Sequence, residues 1–223
     1  MILTLGLFIE YLLDPNGQLY FVCVVASVVF SITLHELAHG YAAIRLGDRT
    51  PESAGHMTMN PFVHMGAFSI FVLMMIGLAW GAMPIDPTRM RGKYAEAIVA
   101  AAGPATNLVL GVLGLTIVGV WVGLSGAEGV SGGEPVENFR YFFLVFGATN
   151  IALCVFNLLP APPLDGSHIL ANFHRGYARL IDNPSNQGLR LVMFIAAFWF
   201  GRVLIDPAVG WAYRYVEWLG GLF

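Results

Sequence analysis

The sequence has few charged residues for its length. Of its 223 residues, 11% are charged and 57% are hydrophobic, and the mean hydropathy is +0.70. Average globular proteins carry about 25% charged residues. A soluble domain of this size could not cover its surface with so few charges, so the composition predicts an integral membrane protein.

An excess of either charge is also lacking, because the net charge is −3 and no basic patch is present. We therefore expect no binding of nucleic acid, which needs clustered lysine and arginine. Cysteine is scarce, and we expect Cys23 and Cys154 to be buried apolar residues rather than a disulfide or metal ligands. Residues 1–13 lack the positive start and the cleavage site of a secretory signal, and we expect an interfacial or partly inserted helix there.

Long apolar runs are abundant. A membrane-spanning helix needs roughly 20 mostly apolar residues, and five runs are candidates. They cover residues 18–44, 66–85, 94–124, 139–159 and 187–205. The pattern predicts an all-α membrane protein, a polytopic transmembrane helix bundle in contact with the lipid bilayer, with residues 1–223 forming a single domain.

The charges of the connecting loops orient these runs. Residues 88–93 contain three basic residues, whereas residues 125–138 contain three glutamates and no basic residue. The positive-inside rule then places the first loop in the cytoplasm and the second outside. Arg45 and Arg49 put the end of the first run on the cytoplasmic side as well.

The run at 66–85 then begins and ends on one side of the membrane. We expect a re-entrant or β-like membrane segment that wraps the active site, with extended backbone just before Pro61. The alternative is a plain span that breaks the charge rule.

A metal-binding motif, H-E-L-A-H, occupies residues 35–39 in the second half of the first run. Residues four apart share one face of a helix, so His35 and His39 can reach the same metal ion. Glu36 lies between them and can take a proton from a metal-bound water. A hydrolytic site in an uncharged run predicts a protease that cuts peptide bonds in or near the membrane.

A third metal ligand is needed, because catalytic zinc sites usually have three protein ligands. Asp165 is the favoured candidate, since it ends a proline-rich stretch, 157–166, that cannot continue a regular helix. An alternative role for Asp165 is the N-cap of a helix over 166–182. His168 is a rival ligand three residues further on.

Three sequence elements, in this order, resemble the site-2 protease family of intramembrane zinc metalloproteases, peptidase family M50. They are H-E-L-A-H at 35–39, A-A-G-P-A-T-N at 101–107 and N-L-L-P-A-P-P-L-D-G at 157–166. The stretch G-H-M-T-M-N-P-F-V-H at 55–64 is similar to the loop after the metal helix in short members.

The resemblance implies one Zn²⁺ per chain, bound by His35, His39 and Asp165, with Glu36 as the catalytic base. It also implies a single-span membrane protein as substrate. The chain looks like a short form without a PDZ domain, which implies a prokaryotic plasma membrane, and the loop charges place the active site toward its cytoplasmic side. One departure is that His64 is followed by Met-Gly, where short relatives often have Ile-Asp.

Four further residues are candidates for substrate binding or for supporting the metal ligands. Asn107 follows Gly103-Pro104, which we interpret as a close-packing and kink feature. The side chain of Asn107 can hold the substrate or stabilise an oxyanion. Alternatively, it packs between helices. Asn150 and Asn157 can face one stripe, and we expect them to support Asp165. His64 can hydrogen-bond the substrate or be an ordinary polar loop residue.

Residues 167–182 predict an amphipathic surface helix, followed by a turn and by the last span from residue 187. The sequence leaves two other functions open. One is a non-catalytic protein of the same fold that binds or chaperones membrane spans, against which the intact Glu36 argues. The other is a metal transporter, which needs ligands along a path across the bilayer.

Overall fold

The computed structural model describes residues 7–125 and 133–223. Over these two ranges the chain forms ten α-helices and no β-strand. The helices are α1 (Glu10–Leu13), α2 (Gln18–Arg45), α3 (Thr50–Ser53), α4 (Pro61–His64), α5 (Gly66–Ile76), α6 (Ala95–Ser125), α7 (Gly133–Asn157), α8 (Asp165–Phe173), α9 (Arg175–Asp182) and α10 (Gln187–Gly220). Short 3₁₀ helices lie at Pro87–Arg89 and Pro184–Asn186.

Four helices, α2, α6, α7 and α10, are long and apolar enough to cross a membrane. A helix satisfies its own backbone hydrogen bonds, which is what a span in lipid requires. Large apolar side chains on their outer faces, such as Val22, Leu113 and Trp199, are exposed and suit a lipid environment. The predicted all-α, polytopic membrane fold is confirmed.

Helix α6 lies at the centre of the bundle and packs against α2, α7, α8 and α10. Glycines bring α6 and α7 close together, because a Cβ added at Gly111 would lie 2.8 Å from Ile151 and one at Gly147 would lie 2.7 Å from Leu115. Small residues permit such approach between membrane helices. A buried apolar cluster joins α6 and α7 to α10 through Leu115, Val118, Ile151, Ala212 and Val216.

The last span is longer than expected. The sequence predicted its end at residue 205, but α10 continues through Pro207 to Gly220. A proline inside a helix removes one backbone hydrogen bond and usually kinks or ends it. Here the residues beyond it are held by tertiary contacts, since Ala212 and Val216 are buried against α6 and Tyr215 hydrogen-bonds Thr116 at 2.9 Å.

Three boundary predictions also need correction. The N-terminal helix has one turn, α1, and residues 1–6 lie outside the described residues. The loop predicted over 125–138 is shorter, because α7 begins at Gly133, and its residues 126–132, with Glu128, lie outside the described ranges. The surface helix predicted over 167–182 is two helices, because His174 has extended backbone and its Nδ1 accepts a hydrogen bond from the Tyr177 N–H, which caps α9.

The segment 66–85 does not form a spanning helix. Helix α5 has 11 residues and is about 16 Å long, whereas the hydrocarbon core is about 30 Å thick. It ends at Ile76, just before Gly77, whose φ of 76° is left-handed, and residues 78–86 form neither helix nor strand. The Arg91 N–H donates to the Leu46 carbonyl at 2.8 Å, so the chain returns to the end of α2 from which it left. Re-entry into the membrane stays a prediction, which this return supports.

Asp48 ties the two ends of this excursion together. Its buried carboxylate accepts hydrogen bonds from the Thr50 N–H and hydroxyl and, at 2.7 Å, from the Asp86 N–H. Burial by itself raises the pKa of Asp48, but the hydrogen bonds from Thr50 and Asp86 outweigh it and lower the pKa overall. The ionised carboxylate is therefore the form that holds the two loops together.

We predict that Asp48→Ala destabilises the folded protein by about 1–3 kcal/mol, because it leaves buried donors without an acceptor. Since the folded pKa is lowered, the stabilisation is present above the unfolded pKa of about 3.9 and is lost as the pH falls through the folded pKa. Thermal unfolding midpoints in detergent micelles, measured from pH 7 downward, should converge for wild type and variant at acidic pH. Asp182→Ala at the exposed end of α9 is the control, and equal midpoints for both variants at pH 7 would contradict the assignment.

Candidate metal centre

Three side chains converge beside α2. His35 and His39 lie one turn apart on this helix, and their Nε2 atoms are 3.0 Å from each other. The carboxylate of Asp165, the first residue of α8, places Oδ2 3.1 Å from His35 Nε2 and Oδ1 3.3 Å from His39 Nε2. Both histidines are buried. The structure thus brings together the three predicted metal ligands, which form one potential metal-binding group.

The donor atoms fit a cation. His39 Nδ1 lies 2.7 Å from the Val99 carbonyl, which can only accept, so this nitrogen carries the proton and Nε2 presents a lone pair. His35 Nδ1 likewise faces the Asn107 side-chain oxygen at 2.6 Å. Within the described residues, Asp165 Oδ2 is buried without a hydrogen-bond donor.

Lone pairs that converge in this way repel one another unless a positive ion lies between them. Zinc bonds to nitrogen and oxygen are about 2.0–2.2 Å long, so a tetrahedral site has ligand atoms about 3.3 Å apart. The observed separations of 3.0–3.3 Å are close to that value. The two imidazoles and the carboxylate are also ligand types that Zn²⁺ uses.

The start of α8 decides whether Asp165 caps this helix, the alternative role that the sequence left open for it. Leu164 is its N-cap, and Asp165 occupies the first helical position without making a side-chain cap bond, so the N-cap prediction is wrong. The prolines before it end regular structure after Asn157 and let the chain turn back toward α2. His168 is exposed on the cavity wall and is outside the group of converging ligands.

Helix α6 closes the metal centre from the other side at Gly103. A Cβ added there would lie 2.5 Å from His35 Nε2 and 2.5 Å from His39 Nε2. The sequence interpretation treated Gly103 as a helix-packing feature. The structure shows that the partners of this close packing are the two imidazoles themselves, so any side chain at 103 would occupy the space of the ligand atoms.

The predicted supporting asparagines have different partners from those expected. Asn107 binds His35 and donates to the Asn150 side-chain oxygen at 3.0 Å, while Asn150 donates to the Phe146 carbonyl. Asn157 donates to Leu153 in its own helix at 3.1 Å. We expected Asn150 and Asn157 to support Asp165, and this is wrong. The Asn150 side chain pairs with Asn107 of α6, and the Asn157 side chain donates to a carbonyl one turn earlier in α7.

His64 is buried and contacts the segment that follows α5. Its Nε2 lies 2.7 Å from the Thr58 carbonyl, and its own carbonyl accepts from the Ala82 N–H at 3.0 Å. These contacts describe a residue that holds the segment in place. A role in binding substrate stays a prediction.

A cavity of about 740 Å³ opens beside the ligands and Glu36. Its walls are mostly apolar and include Ile32, Trp80, Phe156, Phe194 and Phe198. The irregular residues after α5 form one wall, and a Cβ added at Gly81 would lie 2.6 Å from Glu36 Oε1. The sequence did not predict that Gly81 lies against Glu36, because nothing in the local pattern shows which helix a segment without regular structure will cover.

Comparison with known proteins gives one family. The profile of peptidase family M50 matches residues 23–137 and 124–200. Two similar proteins carry the name "Putative zinc metalloprotease": YwhC of Bacillus subtilis (strain 168), 35% identical over 149 residues, and Rip2 of Mycolicibacterium smegmatis (strain ATCC 700084 / mc(2)155), 31% identical over 209 residues. The matches cover 66% of this chain and 66% of YwhC, and 89% of this chain and 73% of Rip2. No solved structure matches the chain.

These matches confirm the family resemblance that the three sequence elements carried. The chain spans about two thirds of the length of YwhC and about three quarters of that of Rip2.

We predict that Gly103→Ala lowers zinc affinity by about 10–100-fold, because the added methyl group displaces both imidazoles from the positions that their supporting contacts hold. Zinc content after dialysis against a chelator measures the effect. Gly188→Ala in α10, where an added Cβ meets nothing within 4 Å, is the matched control. Full zinc retention by a folded Gly103→Ala variant would contradict this description of the site.

Proposed function

The chain belongs to peptidase family M50, and we propose that it is an intramembrane zinc metalloendopeptidase. In this proposal it hydrolyses peptide bonds within or near the transmembrane segments of single-span membrane proteins. One observation carries the proposal: Asp165 meets His35 and His39, with Glu36 beside them, at α2, a helix long and apolar enough to cross a membrane.

The depth of the site supports an intramembrane location. His35 lies about 15 Å along the helix axis before Arg45, the last residue of α2. The hydrocarbon core is about 30 Å thick, so a site here is well below the surface if Arg45 lies at the interface. Because Arg45, Arg49 and the basic loop at 88–93 lie near the same end of α2, we place that end, and the opening of the site, toward the cytoplasm of a prokaryotic plasma membrane.

The residues have distinct tasks in this mechanism. His35, His39 and Asp165 would hold Zn²⁺, which when bound supplies a Lewis acid and lowers the pKa of water. Glu36 lines the cavity next to these ligands, where its carboxylate can accept a proton from the attacking water and deliver it to the leaving amine. The apolar walls exclude bulk water from the reacting groups.

Two other functions are less well supported. A non-catalytic protein that binds or chaperones spans needs no carboxylate between its metal ligands. A metal transporter needs ligands along a path, whereas in the described part of the chain the candidate ligands form one cluster.

Glu36→Gln tests the peptidase directly. We expect the cleavage rate to fall by on the order of 10²–10⁴-fold, because an amide cannot accept the proton, while zinc stays bound because Glu36 is not a ligand. A single-span substrate peptide is incubated in liposomes with each enzyme, its fragments are identified by mass spectrometry, and zinc is measured separately. Equal cleavage rates for the two enzymes would remove Glu36 as the base, whereas a zinc-loaded wild type that cuts none of the peptides would favour the binding-protein alternative.

The cavity also predicts a preference among substrates. A helix hides its peptide bonds inside its own hydrogen bonds, so the substrate span must unwind locally before it can lie against Glu36. Spans with Gly or Pro near the cleaved bond should be cut faster than the same spans with Leu there, because these residues lower the cost of unwinding by about 1–3 kcal/mol each. If the two peptides bind equally well and are cleaved at the same rate whether Gly, Pro or Leu lies near the cleaved bond, local unwinding is not required.

A further inference from the structure

We infer that Asn150, whose side-chain hydrogen bonds go to Asn107 and Phe146 and not to a metal ligand, is a positioning residue that fixes the direction of the Asn107 amide and thereby the tautomer of His35. The two asparagines and the Phe146 carbonyl form a relay that begins in the backbone of α7 and ends at a metal ligand on α2. The inference depends on the metal site and not on peptidase activity.

Both amides are buried, with Asn150 0% and Asn107 1% exposed. Each carboxamide has a donor end and an acceptor end of almost the same shape, so shape alone does not determine which end faces which neighbour. Water is excluded from both groups, and the direction is therefore set by the hydrogen-bonding partners along the relay.

The Phe146 carbonyl determines the direction because it can only accept. The Asn150 atom that faces it at 2.9 Å must be the donor Nδ2, so Asn150 presents its oxygen to Asn107. Asn107 then directs its own Nδ2 to that oxygen at 3.0 Å and its Oδ1 to His35 Nδ1 at 2.6 Å. His35 must carry its proton on Nδ1, which leaves the Nε2 lone pair toward Asp165 and His39.

The two histidines reach the same tautomer by different routes. His39 Nδ1 meets a backbone carbonyl, that of Val99, directly at 2.7 Å, and a carbonyl cannot be reversed. The acceptor for His35 is a side-chain amide, which can rotate by 180°. Asn150 supplies the constraint that the Val99 carbonyl supplies for His39.

Without the Asn150 oxygen, Asn107 can turn its Nδ2 toward His35. The ring would then accept at Nδ1 and carry its proton on Nε2, where a hydrogen faces the metal position. Loss of Asn150 should therefore weaken zinc binding although its side-chain hydrogen bonds go to Asn107 and Phe146 rather than to the zinc ligands or Glu36.

The test measures Zn²⁺ affinity of the full chain in detergent micelles by competition with a chelator. We expect Asn150→Leu to lower the affinity about 10–100-fold, the usual effect of losing a hydrogen-bond partner behind a metal ligand. Asn150→Ala, which removes the amide without adding a branched side chain between α6 and α7, is measured in parallel. Thr106→Val is the control, because this hydroxyl on α6 donates only to the Ala102 carbonyl in its own helix.

A rescue experiment separates two effects of losing Asn150: the lost control over the direction of the Asn107 amide, and the altered packing between α6 and α7. Asn107→Asp presents an acceptor oxygen to His35 whichever way it is turned, so adding it to Asn150→Leu or Asn150→Ala should restore zinc affinity to within several-fold of wild type. The visible spectrum of the Co²⁺-substituted protein should return to the wild-type form in the same variant.

The inference is overturned if the folded Asn150 variants bind zinc like wild type, or if Asn107→Asp fails to restore the affinity they lose. Because zinc binding is measured without substrate, this result is independent of whether the protein proves to be a peptidase.

Discussion

The mutual repulsion of three electron-rich groups is the constraint on which this structure depends. Two imidazole nitrogens and a carboxylate meet at 3.0–3.3 Å inside an apolar helix bundle, where little water is available to screen them. Such an arrangement is favourable only around a cation. Folding of this region and binding of the metal are therefore coupled, as they are wherever ligands are assembled only by the folded chain.

The surrounding helices are arranged to meet this constraint. Helix α2 supplies two ligands through its own periodicity, whereas Asp165 reaches them only because the chain leaves the helical path after Asn157. Helix α6 must pass within contact distance of the imidazoles, and Gly103 makes that possible. Tyr177 fixes the proline-rich turn from outside by donating to the Pro160 carbonyl at 2.9 Å, which links the surface helix α9 to the approach of Asp165.

Features that repeat along the chain could be predicted from the sequence, and features that depend on distant contacts could not. The spans follow from composition, the pairing of His35 and His39 from the helical period, and the break before Asp165 from its prolines. The partners of Asn150 and the length of α10 depend on packing between helices far apart in sequence. Local propensity placed a stop near Pro207, but the burial of Ala212 and Val216 against α6 and α7 extends the helix past it.

The irregular segment after α5, which covers Glu36, shows how polar backbone can be placed beside an apolar cavity. Both backbone groups of Trp80 pair with the buried hydroxyl of Ser69, and the Ala82 N–H pairs with the His64 carbonyl. At its far end the Asp86 N–H is held by Asp48.

The partners Ser69, His64 and Asp48 are buried, so these backbone groups are paired within the protein, as a segment shielded from water requires. Gly81, lying among them, has no side chain, and the backbone therefore approaches Glu36 closely. The position of this segment therefore determines both the wall of the cavity and the position of the Glu36 carboxylate. A shift of the segment toward α2 would displace Glu36. A shift away from α2 would enlarge the cavity on the side where the carboxylate lies.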